Sequence, residues 1–182
     1  VHSFPTRRSS DLFATTGNVT LYVAEGGTGN GTIDNPMGSI QAAVIAANES
    51  GGGTVLVQDG TYKFTTQKII EDDGVTEQEV DEWTYIDTPV TVKSISGKPQ
   101  DCIIDFNGKR GFNISNASAV LSGFRLHSGI ATTTNMILMA GGEVNNCLVA
   151  DETLLKHVLI SATAGAVISN CAFTNNIISS SQ

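Results

Sequence analysis

A strand-like pattern returns every 22 to 24 residues through the second half of the chain. Segments 102–105, 124–127, 147–150 and 171–174 each carry an apolar residue at their first and third positions, while the second and fourth vary. Side chains alternate faces along a strand, so the first and third positions share one face. One four-residue strand cannot bury such a face alone. Successive copies stacked on one another can, and a period of this length built from strand and turn marks a solenoid.

Two further ladders keep the same phase. Phe112, Met136 and Val158 are spaced 24 and 22 apart, each with an apolar partner two residues on: Ile114, Leu138 and Ile160. Leu121, Val144 and Ile168 are spaced 23 and 24 apart. Three apolar strands per period, joined by Gly, Asn, Ser and Thr, predict an all-β chain in which the strands form the three faces of a parallel β-helix. The competing reading is a four-stranded sandwich built from hairpins. That would need tight two-residue turns between neighbouring strands, and Asn107-Gly108 is the one good example.

The N-terminal part follows another pattern. Leu21-Tyr-Val-Ala24 reads as a strand, followed by a glycine-rich strap, Gly26-Gly-Thr-Gly-Asn-Gly-Thr32, that Pro36 ends. Ser39 is placed to cap a helix whose apolar residues Ile40, Ala43, Val44 and Ala47 fall on one face. Gly51-Gly-Gly53 stops that helix. A buried strand over residues 54–58 and a turn at Asp59-Gly60 come next. A short amphipathic helix ahead of a stack of strands has a physical task, because the stack's open end exposes apolar side chains and unpaired edges. The strap lacks the Gly-Lys-Ser/Thr of a phosphate loop and the Asp of glycine-rich calcium repeats, so it reads as backbone packing.

These residues carry a resemblance. Tyr22-Val23, the strap ending at Gly31-Thr32, Pro36, Ser39-Ile-Gln-Ala-Ala43 and Gly53-Thr-Val-Leu-Val57 with Asp59-Gly-Thr-Tyr62 resemble the N-terminal cap of right-handed parallel β-helix proteins of the bacterial pectate-lyase-like superfamily. Val90-Thr-Val-Lys-Ser-Ile-Ser-Gly97, Asp101-Cys-Ile-Ile-Asp105 and Leu121-Ser-Gly-Phe124 resemble the first rungs of the same group. The resemblance covers most of residues 20–176 and implies three strands per rung and a short capping helix. It divides the chain into a cap and first strand over 20–60, an insertion over 63–88 and rungs over 89–176, all within a domain spanning 13–182. The superfamily holds polysaccharide lyases, hydrolases, surface adhesins and phage tailspikes, so fold alone does not fix chemistry. It implies a secreted or surface-attached protein with a polysaccharide as partner. A non-catalytic, adhesin-like structural solenoid is the alternative.

Residues 3–12, Ser-Phe-Pro-Thr-Arg-Arg-Ser-Ser-Asp-Leu, resemble the translation of a sequencing adapter. Residues 1–12 are accordingly expected to be disordered and foreign to the fold, and the remainder to be an N-terminal fragment whose signal peptide is lost. The expected location is extracellular or at the cell surface.

The chain has 10 Lys+Arg against 18 Asp+Glu, a formal net charge of −8. That balance disfavours nucleic acid, whose binding rests on phosphate neutralisation. No apolar run approaches the roughly 20 residues that span a bilayer.

Residues 63–88 hold eight of the eighteen acids and the single Trp, Trp83. Glu71, Asp72 and Asp73 are the candidates there for Ca²⁺, the one cofactor the sequence brings into view, and Trp83 for stacking on a saccharide. The calcium spacing of known loops is absent, and a solvated acidic excursion with Trp83 folded onto the barrel is the preferred reading. Cys102, Cys147 and Cys171 share a register and read as buried reduced thiols; an odd count without a Cys-x-x-Cys pair argues against zinc. Asn146 and Asn170 precede two of them and suit left-handed turns, with amides able to bond along the stack. Asn18, Asn48, Asn113 and Asn116 open Asn-x-Ser/Thr sequons that a Ser/Thr-rich chain produces by chance.

If Cys102, Ile104, Phe124 and Leu126 point inward, Asp105, Arg125 and His127 point outward from one sheet. Lyases of the superfamily remove a proton α to a uronate carboxylate. The resemblance therefore makes Arg125 a base or carboxylate partner and His127 paired with Asp105 a base. The plainer reading is three solvent-facing residues on an early rung.

Overall fold

The computed structural model describes residues 18–70, 77–80, 83–127, 136–150, 153–155 and 160–179. In chain order, strand β1 (Val19–Val23) leads through the strap to helix α1 (Ile40–Glu49), then to β2 (Gly53–Val57) and β3 (Gly60–Lys63). Strands β4 (Gln67–Ile70) and β5 (Glu77–Val80) come before β6 (Thr84–Ile86). Next are β7 (Val90–Ser94), β8 (Cys102–Asp105) and β9 (Phe112–Ile114), then β10 (Val120–Ser122), β11 (Arg125–His127) and β12 (Ile137–Met139). The chain continues through β13 (Glu143–Asn145), β14 (Leu148–Ala150), β15 (Thr153–Leu155) and β16 (Ile160–Ala162) to β17 (Val167–Ser169), β18 (Ala172–Thr174) and β19 (Ile177–Ser179).

Three parallel sheets collect most of these strands. The first runs β1-β2-β7-β10-β13-β17, the second β3-β8-β11-β14-β18 and the third β6-β9-β12-β16. The chain is an all-β solenoid in which β7, β8 and β9 enter the first, second and third sheets in turn, and β10, β11 and β12 repeat the visit. Among the described strands, only β4 and β5 pair antiparallel. The sandwich built of hairpins is thereby displaced. Asn107-Gly108 is a turn, with φ of 51° and 69°, but it joins β8 of the second sheet to β9 of the third.

Register stacks apolar on apolar. In the first sheet Val55, Val92, Leu121, Val144 and Ile168 are successive Cα partners. In the second, Tyr62, Ile104, Leu126, Val149 and Phe173 are. All but the last residue of each row are buried; Ile168 and Phe173 are 41% and 46% exposed. Phe64, Phe106 and Phe112 fill the interior where the second sheet passes to the third, their rings edge to face with centroids 5.0 to 6.1 Å apart. Each such contact contributes about 0.5–1.5 kcal/mol beyond area burial.

The third sheet corrects one expected register. Phe112 pairs with Ile137, and Ile114 with Met139, one residue later than the Met136/Leu138 spacing implies. Ile137 pairs in turn with Ile160, where the spacing set Leu138 beside Ile160. Met136 is buried in the bend before β12, Ile137 and Met139 face the core, and Leu138 is half-buried. Val158 lies outside the described residues.

Helix α1 packs against β1, β2, β6 and β7, over one end of the stack. Ser39 caps it, its hydroxyl accepting from the Ala42 N–H at 3.2 Å, and Ile40, Ala43, Val44 and Ala47 are buried. Gln41 seals the margin by a two-point bond to the Thr65 backbone at 3.1 and 3.2 Å. The strap lies on the free edge of β1: the Tyr22 N–H donates to the Gly31 carbonyl at 2.8 Å and the Met37 N–H to the Tyr22 carbonyl at 2.9 Å. A Cβ on Gly27 would sit 2.6 Å from the Pro36 carbonyl oxygen. Close approach of two backbones is therefore the strap's glycine requirement.

Candidate functional site

The second sheet places the candidate residues. Because Cys102 and Ile104 are buried, β8 turns Ile103 and Asp105 outward, and because Leu126 is buried, β11 turns Arg125 and His127 outward. Asp105 and His127 are direct Cα partners, and Arg125 sits between Ile103 and Leu148 in the parallel row. Asp105, Arg125 and His127 are each half-buried. The register thus sets these three residues on one face of the second sheet.

One member escapes the sequence reading. Lys63, the last residue of β3, is the Cα partner of Asp105 on its other side. The outer face therefore carries Lys63, Asp105 and His127 on three consecutive strands, with Arg125 beside them. Lys63 was legible only from the register of β3, because its position at the start of the acidic segment set it apart from the ladder.

The backbone holds this row firmly. The Phe64 N–H donates to the Asp105 carbonyl at 2.8 Å and the Phe106 N–H to the His127 carbonyl at 2.9 Å. One Asp105 carboxylate oxygen is engaged in its own turn, accepting from the Asn107 N–H at 2.8 Å. Lys63, Arg125 and His127 share one outer face with Asp105, an arrangement that suits contact with carboxylate groups along an extended ligand.

The other candidates fare differently. Glu71, Asp72 and Asp73 lie outside the described residues, and with them the Ca²⁺ expectation. Among the described residues no group of three His, Cys, Asp or Glu is placed to hold a metal ion. Trp83 is only 9% exposed, with the Arg110 guanidinium carbon 5.9 Å from its ring centroid. It is folded onto the solenoid, as the preferred reading expected, with the half-buried Arg110 over its ring in a cation–π contact. No described helix is long and apolar enough to cross a membrane.

Cys102 is buried, donates from Sγ to the Gln58 carbonyl at 3.4 Å, and burial pushes its pKa up to about 12. It is an inert core thiol. Tyr62 beside it is likewise pushed up by burial, its hydroxyl donating to the same carbonyl at 2.8 Å. Cys147 is buried, while Cys171 is only half-buried. Asn146 and Asn170 adopt left-handed φ of 49° and 52°. The Asn146 amide donates to the Gly97 carbonyl at 2.8 Å, where the sequence suggested amide-to-amide bonding.

No protein-family model, curated protein or solved structure matches this chain.

Proposed function

We propose that the chain is a right-handed parallel β-helix with three strands per turn, of the pectate-lyase-like kind, and that the outer face of its second sheet recognises an acidic polysaccharide outside the cell or at its surface. The observation that carries this reading is the row Lys63, Asp105 and His127 with Arg125 beside it. A uronate carboxylate can accept two parallel hydrogen bonds from the Arg125 guanidinium, and Lys63 offers a second cation along the strand-stacking direction. Where the ligand is also a substrate, His127 takes the proton α to the carboxylate. The C–O bond β to the carboxylate then breaks, a carbon–carbon double bond forms, and the departing oxygen gains a proton.

A non-catalytic recognition solenoid is the second reading, and Asp105 favours it. Its bond to the Asn107 N–H gives the carboxylate a structural task that needs no substrate.

Incubation with polygalacturonate and with alginate, followed by the ultraviolet absorbance of the unsaturated product, separates the two. Lyase action predicts product, reduced by about a hundredfold or more in His127→Ala. Binding without product leaves a recognition surface. Neither product nor binding to any acidic polysaccharide would refute the proposal.

A further inference from the structure

Cys147 and Cys171 immediately precede β14 and β18, whose register pairs Leu148 with Ala172. The thiols therefore stack on neighbouring turns. The Cys147 backbone N–H donates to the Cys171 sulfur at 3.4 Å. Sγ of Cys147 donates to the Asn145 carbonyl at 3.3 Å, and Sγ of Cys171 lies 3.5 Å from the Val144 carbonyl and 3.1 Å from that of Ser169. Both sulfurs thus converge on one stretch of backbone, Val144 and Asn145. Cys102 cannot join them, because Phe124 fills the ladder position of the intervening turn.

We propose that Cys147 and Cys171 form a two-sulfur site for a monovalent thiophilic cation of the Cu(I) or Ag(I) kind. Thiolates select such soft ions. Zinc takes four ligands, and among the described residues no third His, Cys, Asp or Glu completes a metal-sized group. Binding involves no change of oxidation state. Two thiols and one cation give a bis-thiolate complex of charge −1, two sulfur–metal bonds form, and two protons pass to solvent.

The two ligands differ in readiness. Cys171 is half-buried, so an ion can reach it, and the Cys147 backbone N–H already points at its sulfur from 3.4 Å. Cys147 is 2% exposed and lies behind it. Cys171 binds first, and Cys147 then loses its proton to solvent as its sulfur takes the second position on the cation. The site stands independently of the polysaccharide reading.

The test is an anaerobic titration of the reduced full chain with Cu(I) against bicinchoninate as competitor. Loss of an outer-shell partner typically costs a metal site 10- to 100-fold, so loss of a ligand should exceed about a hundredfold. One equivalent should bind the unaltered chain, with affinity lost to that extent in Cys147→Ser and Cys171→Ser and kept in Cys102→Ser. A second measurement needs no variant: Cu(I) should protect Cys171 from alkylation by N-ethylmaleimide, mapped by peptide mass spectrometry. Failure of the unaltered chain to take Cu(I) from the competitor, equal loss in Cys102→Ser, or unchanged alkylation of Cys171 overturns the proposal.

Discussion

Asp105 and His127, 22 residues apart in sequence, are register partners on adjacent parallel strands, one position beyond the buried pair Ile104 and Leu126. The inner pair fixes the outer one. A slip of one residue would turn the charged pair into the core and the aliphatic pair into solvent, so burial of Ile104 and Leu126 pins the arrangement of the face.

Asp105 supports a turn as well as a face. Replacing it with Ala removes the acceptor for the Asn107 N–H at 2.8 Å, at a cost of about 0.5–1.5 kcal/mol. Asp105→Asn keeps a side-chain oxygen there and should lie close to the unaltered protein. Urea midpoints of the two variants check this; equal midpoints would show that the turn does not need the bond.

Gly123, Asn146 and Asn170 occupy the residue after β10, β13 and β17, and all three are left-handed. A Cβ on Gly123 would meet the Ser94 Cβ at 3.1 Å and the Gly97 Cα at 3.4 Å, and its φ is 85°. Gly123→Ala should therefore destabilise by about 1–3 kcal/mol. Asn146→Ala loses both left-handed tolerance and the bond to Gly97, while Asn146→Gly loses only the bond, so alanine should be the more harmful of the two. Thermal unfolding decides the order.

Leu126 and Phe173 lie on one ladder but differ in burial, fully buried against 46% exposed. Leu126→Ala should cost about 2–5 kcal/mol, and Phe173→Ala much less despite its larger side chain. Comparable losses in denaturant titrations would mean that Phe173 is covered in solution.

The contrast between these ladders explains what was legible in the sequence. Two sheets could be read because their clearest copies alternate apolar with polar residues, as in Phe124-Arg-Leu-His127 and Glu143-Val-Asn145. The third could not be phased from Met136-Ile-Leu-Met139, where four apolar residues in a row give no alternation. Packing chose Ile137 and Met139, with Met136 held in the preceding bend. The face was read for Asp105, Arg125 and His127 by the same alternation. Lys63 was missed because its place depends on how far β3 extends before the chain leaves the ladder. The hairpin β4–β5 was hidden by the acidic composition of its segment.

Glu143 gives a pH signature. Its carboxylate accepts from the Ser169 hydroxyl at 2.6 Å and the Asn145 amide at 2.8 Å, and these bonds hold its pKa below the ordinary glutamate value. A depressed native pKa stabilises above the unfolded-state pKa and is lost as pH falls through the native one. Ser169→Ala should cost about 0.5 kcal/mol at neutral pH, since the group is well solvated. The gap from the unaltered protein should close under acid; a gap that widened would contradict the assignment.

The proposed ligand, an acidic polysaccharide, lies along the face formed by Lys63, Asp105, Arg125 and His127. Isothermal titration with polygalacturonate oligomers tests this most directly, using the unaltered chain, Arg125→Ala and the exposed-site variant Lys63→Ala. The predicted result is binding that weakens by about tenfold in Arg125→Ala, about 1.4 kcal/mol, and less in Lys63→Ala, with melting of Lys63→Ala unchanged. Absence of binding to the unaltered chain, or equal binding by all three proteins, would contradict it.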